Sequence, residues 1–371
     1  MITVTNIETI IVDLPTIRPH LLSMAEMRTQ TMVVIRLVCS DGIEGLGEST
    51  TIGGPSYSGE SPEGIKLVID RYISPLLAGK DATCTGLLMA IVDKYVQGNF
   101  IAKSGIETAL LDAQAKRLNV SVATLFGGAI SPDLPVLWTL ASGDTQKDIE
   151  EGKEILLSNR HKDFKLKIGR RSPVEDVRHV VAIKKALGEQ TKIVVDVNQA
   201  WNEETAKYSI SILQDEGIDL IEQPIYRENR DGLGRLAAYF EIPIMADEAL
   251  QTVTDAFQLA KIGGVGVFAL KIAKAGGLYN VMKIAGIGEA AGIGLYGGTM
   301  LEGSIGTAAS AHVFACIRNL SWGTELFGPL LLTDDVVTTK IQYRNGALQI
   351  PNGPGLGVEL DSDKLNHYKR K

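Results

Sequence analysis

From residue 136 onward, short apolar runs alternate with helical stretches, giving eight runs in roughly 190 residues. The runs cover 136–140, 164–168, 193–197, 220–222, 244–247, 268–272, 293–296 and 322–326. Helix signals lie between them. Ser172-Pro173, for example, offers a hydroxyl cap and then a first-turn proline for a helix reaching about residue 187. Eight strands joined by helices make a closed parallel barrel a better reading than an open sheet, and no Gly-x-Gly-x-x-Gly follows the first run to suggest a dinucleotide fold. After Gly328 the rhythm stops. The barrel is therefore expected over 131–328, with 329–371 packing back on the first domain.

Residues 1–130 read differently, as strands followed by helices, an α+β unit. Runs 31–39 and 43–48 flank Asp41-Gly42, a pair that favours a tight hairpin turn. Ser61-Pro62-Glu63 opens a helix with apolar spacing over 65–77, and 105–118 reads as a second, amphipathic helix.

Composition narrows the function classes. The 371 residues are 45% hydrophobic and 22% charged, as in an ordinary globular protein. A net charge of −7 argues against nucleic acid or an anionic membrane as partner. No apolar run approaches the roughly 18–20 residues that span a bilayer. The first twenty residues carry Glu8 and Asp13 and show no leader pattern. Cys39, Cys84 and Cys316 form neither a Cys-x-x-Cys pair nor an even framework. A cytoplasmic enzyme with buried, unpaired thiols is the expectation.

In a parallel barrel the active site lies at the carboxyl ends of the strands. Those ends carry Lys165 and Lys167, Asp196 and Asn198, Glu222, Asp247 and Glu248, Lys271, and Glu325. Any one of them could be a structural ion pair, but charge at so many successive strand ends is hard to explain by solvation. Asp196, Glu222 and Asp247 come from three successive strands and should lie along one arc. Three carboxylates without Cys or His are hard ligands, suited to Mn²⁺ or Mg²⁺, and a cation would relieve their mutual repulsion.

Lys165 and Lys167 share a strand face, about 6–7 Å apart at the backbone. A lysine base working at neutral pH must titrate some 3 units below its usual range, a cost of about 4–5 kcal/mol. A like charge about 7 Å away supplies about 2.4 kcal/mol at an effective dielectric near 20, so Lys165 is expected to lower Lys167 part of the way. Lys271, across the barrel, has two compatible readings: a second group facing the substrate, or the ion-pair partner of Glu325. Lys274, three residues on, falls beyond the strand end. A lysine Schiff-base aldolase would give no reason for three carboxylates, and a structural or binding barrel would have little reason to keep so many charged strand ends.

FKLKIG with Lys165 and Lys167, VVDVNQ with Asp196, LIEQP with Glu222, IMADE with Asp247 and ALKIAKAGG with Lys271 resemble the enolase superfamily, muconate lactonizing subgroup. Residues 11–20, 50–54, 294–304 and 324–329 extend the resemblance along the whole chain. It implies an α+β capping domain over a modified (β/α)8 barrel. It also implies a metal at Asp196, Glu222 and Asp247, with Lys167 as the acid/base lysine, Lys165 tuning it, and Lys271 on the opposite face. Glu325 would bond the substrate carboxylate or Lys271. Cap loops 16–27 and 50–57 would close over the substrate, with Ile52, Tyr57, Asn198 and Phe327 touching it. The implied reaction is lactonization of the dicarboxylate cis,cis-muconate through an ene-diolate, in catechol degradation. A chloromuconate or dipeptide-epimerizing member is the alternative. A homo-octamer is implied as well.

Overall fold

The computed structural model describes residues 1–371. β1 (Val4–Leu21), β2 (Glu26–Cys39) and β3 (Glu44–Thr50) form an antiparallel sheet in that order. The β2–β3 turn closes where the Cys39 N–H donates to the Ile43 carbonyl, with Gly42 in the left-handed region at φ 81°. This is the hairpin that Asp41-Gly42 announces.

Helix Pro62–Val68 is capped by the Ser61 hydroxyl, which accepts from the Gly64 N–H. It runs on to Leu77 through one widened turn at Ile69–Ile73, just ahead of Pro75. A proline lacks an N–H and crowds the carbonyl four residues back, and a widened turn accommodates both.

The second helix, Phe100–Leu118, is not an amphipathic surface helix. It is buried without interruption from Ile101 to Ala113 because it lies between β3 on one side and the barrel segment Ile272–Ala275 on the other. Gly45 and Gly47 let it approach: a Cβ at Gly45 would collide with the Ala109 carbonyl, and one at Gly47 with that of Gly105. Buried Asp112 then accepts the Leu46 and Leu356 N–H groups, each at 2.7 Å, joining sheet, helix and the C-terminal segment.

Beyond β4 (Asp133–Pro135), seven parallel strands follow in sequence order: β5 (Trp138–Leu140), β6 (Phe164–Lys167), β7 (Ile193–Asp196), β8 (Leu220–Glu222), β9 (Ile244–Ala246), β10 (Val267–Leu270) and β11 (Gly294–Gly297). The eighth strand expected over 322–326 shrinks to one residue. Thr324 bridges Gly297 on one side and Val136 on the other, and backbone bonds on both flanks close the barrel. Gly323 is left-handed at φ 66°, so a strand cannot run through it, and the chain turns away after Glu325. The molecule is thus a (β/α) barrel under an N-terminal α+β cap.

Alternation along the strands places the chemistry. Leu137, Val194, Leu220, Met245, Val267, Ala269 and Tyr296 form a buried cluster inside the barrel. Side chains of one face recur every second residue. Lys165 and Lys167, Asp196, Glu222, Asp247 and Lys271 continue that interior face at the carboxyl end. The barrel is plugged below and polar above.

The chain after Gly328 runs back along β1 through bridges Thr16–Leu332 and Val12–Lys369, and Arg370 donates to Asp13. β13 (Ala347–Gln349) pairs with β12 (Tyr343–Arg344) on one side and β4 on the other. No helix is long and apolar enough to cross a membrane.

Two stability outcomes follow from these contacts. Gly47→Val should lower the unfolding free energy by about 1–3 kcal/mol or more, because the added methyls have no space against the Gly105 carbonyl. A denaturant midpoint matching the parent's would refute that close approach. His312 is buried in helix Ser304–Phe314 and its Nε2 lies 3.1 Å from the Leu356 carbonyl. Burial lowers its pKa to about 4, with the Leu356 bond opposing. Between that value and the ordinary range near 6.5, the unfolded chain binds the extra proton and the folded chain does not. Stability is therefore full at neutral pH and falls as pH drops below about 6.5, by up to about 1.4 kcal/mol per pH unit. Chemical denaturation of His312→Gln at pH 7.5 and 5 should show a smaller acid loss than the parent. An equal loss would assign the acid sensitivity elsewhere.

Candidate active site

The mouth of the barrel holds nearly all the residues singled out by the strand ends. β7 and β8 pair Asp196 with Glu222, and Glu222 in turn pairs with Met245 of β9, two residues before Asp247. The three carboxylates lie along one arc and are fully buried. They do not, however, converge closely enough here to hold a common ion. Asp196 Oδ2 accepts from Lys167 Nζ at 2.5 Å. Asp247 is taken up by Lys271 Nζ at 2.7 Å, Lys274 Nζ at 2.6 Å and the Tyr57 hydroxyl at 3.0 Å.

Glu222 is the exception among them. Lys165 Nζ lies 2.7 Å from its Oε2 as an ion pair without hydrogen-bond alignment, and both oxygens are buried with no hydrogen-bond donor. Burial first, then the charges of Asp196 and Asp247, push its carboxyl up to about 8. Glu248, bonded by Asn198 at 3.1 Å, is pushed up to about 7 by burial and by Asp247. Buried carboxylates that repel one another, with Glu222 lacking any donor, match a cation site in chemistry.

The lysines depart from expectation. Burial disfavours the charge of Lys167, but Asp196 and Glu325 outweigh it and hold the ammonium above its usual range, with Lys165 opposing more weakly. Lys165 is held well above its range in the same way, burial being overcome by Glu222 and Glu325. The expected lowering of Lys167 by its neighbour is present in sign and loses to a carboxylate at 2.5 Å.

Glu325 does not pair with Lys271. It accepts from Lys165 Nζ at 2.6 Å and the Thr139 hydroxyl at 2.9 Å, since the turn at Gly323 delivers it beside β5 and β6. Lys271 lies one residue past β10, and its partners are Asp247 and Tyr57. It also has the cationic neighbour that strand spacing denied it. The short helix Ile272–Ala275 folds Lys274 back so that both lysines share Asp247. A Lys-x-x-Lys at helical spacing is the signal that would have found it.

The cap closes over this mouth. The β1–β2 hairpin tip is fixed to the barrel by the Leu21 N–H on the Ala141 carbonyl and by the Ser23 hydroxyl on the Asn198 carbonyl at 3.1 Å. Tyr57 and Ile52 come from the loop after β3, both buried. A cavity of only about 10 Å³ remains under the closed cap, lined by Ile52, Tyr57, Asn198, Lys167, Lys271 and Glu325, among others. Phe327 does not line it. Its ring packs 5.2 Å from Trp138 and 6.1 Å from His20, behind the cavity wall. His20 does line the cavity, and strand-end reasoning missed it because it arrives from the cap.

Two family models cover most of the chain: Mandelate racemase / muconate lactonizing enzyme, N-terminal domain, over residues 6–127, and Enolase C-terminal domain-like over 148–364. Muconate cycloisomerase 1 of Pseudomonas putida is 56% identical, covering 99% of this chain and 98% of its own. A chloromuconate cycloisomerase of Cupriavidus necator is 44% identical, covering 98% of each. Among solved structures, muconate lactonizing enzyme from Pseudomonas fluorescens complexed with muconolactone superposes with a TM-score of 0.98 at 57% identity, covering 99% of both chains. With cap and barrel both matched and these identities spanning its length, the chain belongs to the mandelate racemase / muconate lactonizing enzyme family of enolase-like proteins.

Proposed function

We propose that this chain is a muconate cycloisomerase, converting cis,cis-muconate to muconolactone. The observation that carries the reading is the opposition of Lys165 and Lys167 to Asp196, Glu222 and Asp247 at one closed barrel mouth, in a chain 56% identical to a protein of that name. The lower 44% identity to the chloromuconate relative favours the unchlorinated substrate.

Asp196, Glu222 and Asp247 would hold a divalent cation, Mn²⁺ or Mg²⁺, whose charge offsets the negative charge that collects on a substrate carboxylate during addition. Glu222, buried with neither oxygen hydrogen-bonded, is the residue that most calls for it. In the reaction one carboxylate oxygen forms a C–O bond to the conjugated diene, and the displaced electron pair moves toward the other carboxylate. The carbon next to that carboxylate takes a proton from Lys167, which then recovers one from solvent. A protonated Lys167 is the form this direction needs, so its carboxylate-stabilised charge suits the role. Lys165 makes the same face cationic for a dianionic substrate. Lys271 faces it from beside Asp247, which also holds Lys274. Cap closure excludes water, which strengthens each of these interactions.

Chelation should abolish loss of the diene absorbance, with Mn²⁺ or Mg²⁺ restoring it, and Asp247→Asn should weaken metal binding at least tenfold. Full turnover in excess chelator would remove the metal from the reading. Lys167→Ala should lower lactonization by about 10²–10⁴-fold and remove exchange of the muconolactone α-proton with D₂O. Lys271→Ala should slow turnover and keep measurable exchange. Exchange retained in Lys167→Ala and lost in Lys271→Ala would move the proton to the other face.

A further inference from the structure

His20 is fully buried and lines the cavity beside Ile52, Tyr57 and Lys167, yet neither of its ring nitrogens has a hydrogen-bond partner. A buried polar group without a partner is costly and uncommon in a folded protein, so one aimed into a binding cavity points to a ligand atom that completes it. Its place is not left to chance. Leu21 and Ser23, on the same hairpin tip, are bonded to barrel backbone at Ala141 and Asn198, and Phe327 supports the ring from behind at 6.1 Å. The nearby guanidinium of Arg18 is already engaged by Glu151 and the Thr139 carbonyl.

The direction of approach decides which substrate atom it meets. Asp196, Glu222 and Asp247 end β7, β8 and β9. His20 sits over the opposite arc, where Phe327 packs on Trp138 of β5 and where Glu325 lies close by. A linear dicarboxylate with one end on the β7–β9 side extends its other end toward His20.

We propose that the His20 N–H donates to the carboxylate that attacks the diene, the end of the substrate remote from Asp196, Glu222 and Asp247, and orients it for C–O bond formation. This rests on the dicarboxylate reading given above. A neutral donor suits that atom. A lysine would pair with the carboxylate and hold its lone pairs in an ion pair, whereas an imidazole N–H fixes its direction and leaves it a nucleophile. Burial, with the charges of Arg18 and Lys167, holds His20 down to about 3, so the ring is neutral at working pH.

The test compares two reactions of one protein. Lactonization of muconate needs the attacking carboxylate placed. Exchange of the α-proton of muconolactone, measured at saturating ligand in D₂O, needs only the free carboxylate end and Lys167. His20→Phe keeps a flat ring without donors and should lower kcat/KM for lactonization by about 10–100-fold, the scale of a lost hydrogen bond to a charged group. Exchange should stay within about 3-fold, and Mn²⁺ affinity should not change. His20→Gln restores an N–H and should recover much of the lost rate. If His20→Phe does not fold, as judged by its thermal midpoint, His20→Leu against His20→Gln gives the same contrast. Unchanged lactonization without the imidazole, or equal loss of lactonization and exchange, would overturn the assignment. Parent enzyme inert toward muconate would overturn the dicarboxylate reading itself, a separate outcome.

Discussion

Asp196, Glu222, Asp247, Glu248 and Glu325 share an almost unsolvated pocket with Lys165, Lys167, Lys271 and Lys274. Taking so many charges out of water costs several kcal/mol each, and their pairing offsets this only where the geometry is good. Here it is good for Asp247, which lies between two lysines, and for Glu325, which takes Lys165 and Thr139. Five carboxylates still face four ammonium groups. The shortfall falls on Glu222, the one strand-end carboxylate with no hydrogen-bond donor. The fold must hold this unfavourable arrangement rigidly, and the closed barrel ladder does so through strands three or four residues long. A divalent cation held by Asp196, Glu222 and Asp247 would offset the same imbalance.

The alternation that makes a strand also makes this site readable. Once the βα rhythm fixed which residues end each strand, the interior position of Lys165, Lys167, Asp196, Glu222 and Asp247 followed from a period of two. Spacing along one strand says nothing about what a turn or a lid brings in. Lys274 was lost to a single helical turn after β10, and His20 to a hairpin from the other domain, more than 140 residues away in sequence from Lys167. Phe327 was placed in the pocket by resemblance, while the chain after Gly323 buries it behind His20. The eighth strand was expected at full length because its residues are apolar enough, but a left-handed glycine limits it to Thr324.

The direction of the Lys167 shift shows a different limit. From sequence, Lys165 is the one neighbour whose distance the strand spacing gives, and a like charge lowers a lysine. In three dimensions Asp196 is at 2.5 Å, and attraction at contact exceeds repulsion at the spacing of alternate strand residues. One-dimensional spacing lists same-strand neighbours and omits cross-strand ones, so it errs in sign wherever a pocket mixes charges.

Cap and barrel divide the work unevenly. The charged groups reside on barrel strand ends, whereas Ile52, Tyr57 and His20 all come from the cap. The three cap groups are not equivalent. Ile52 offers the cavity only methyl groups and therefore shapes space. Tyr57 donates its hydroxyl to Asp247 and has Lys271 Nζ both 3.0 Å from that hydroxyl and 4.5 Å from its ring centroid. Closing the cap thus places a hydroxyl and an aromatic face among the same charges that would bind metal. Tyr57 couples lid position to the electrostatics of Asp247, whereas Ile52 has no polar group with which to do so; in the function proposed above, a change at Ile52 would alter substrate fit without reaching those charges.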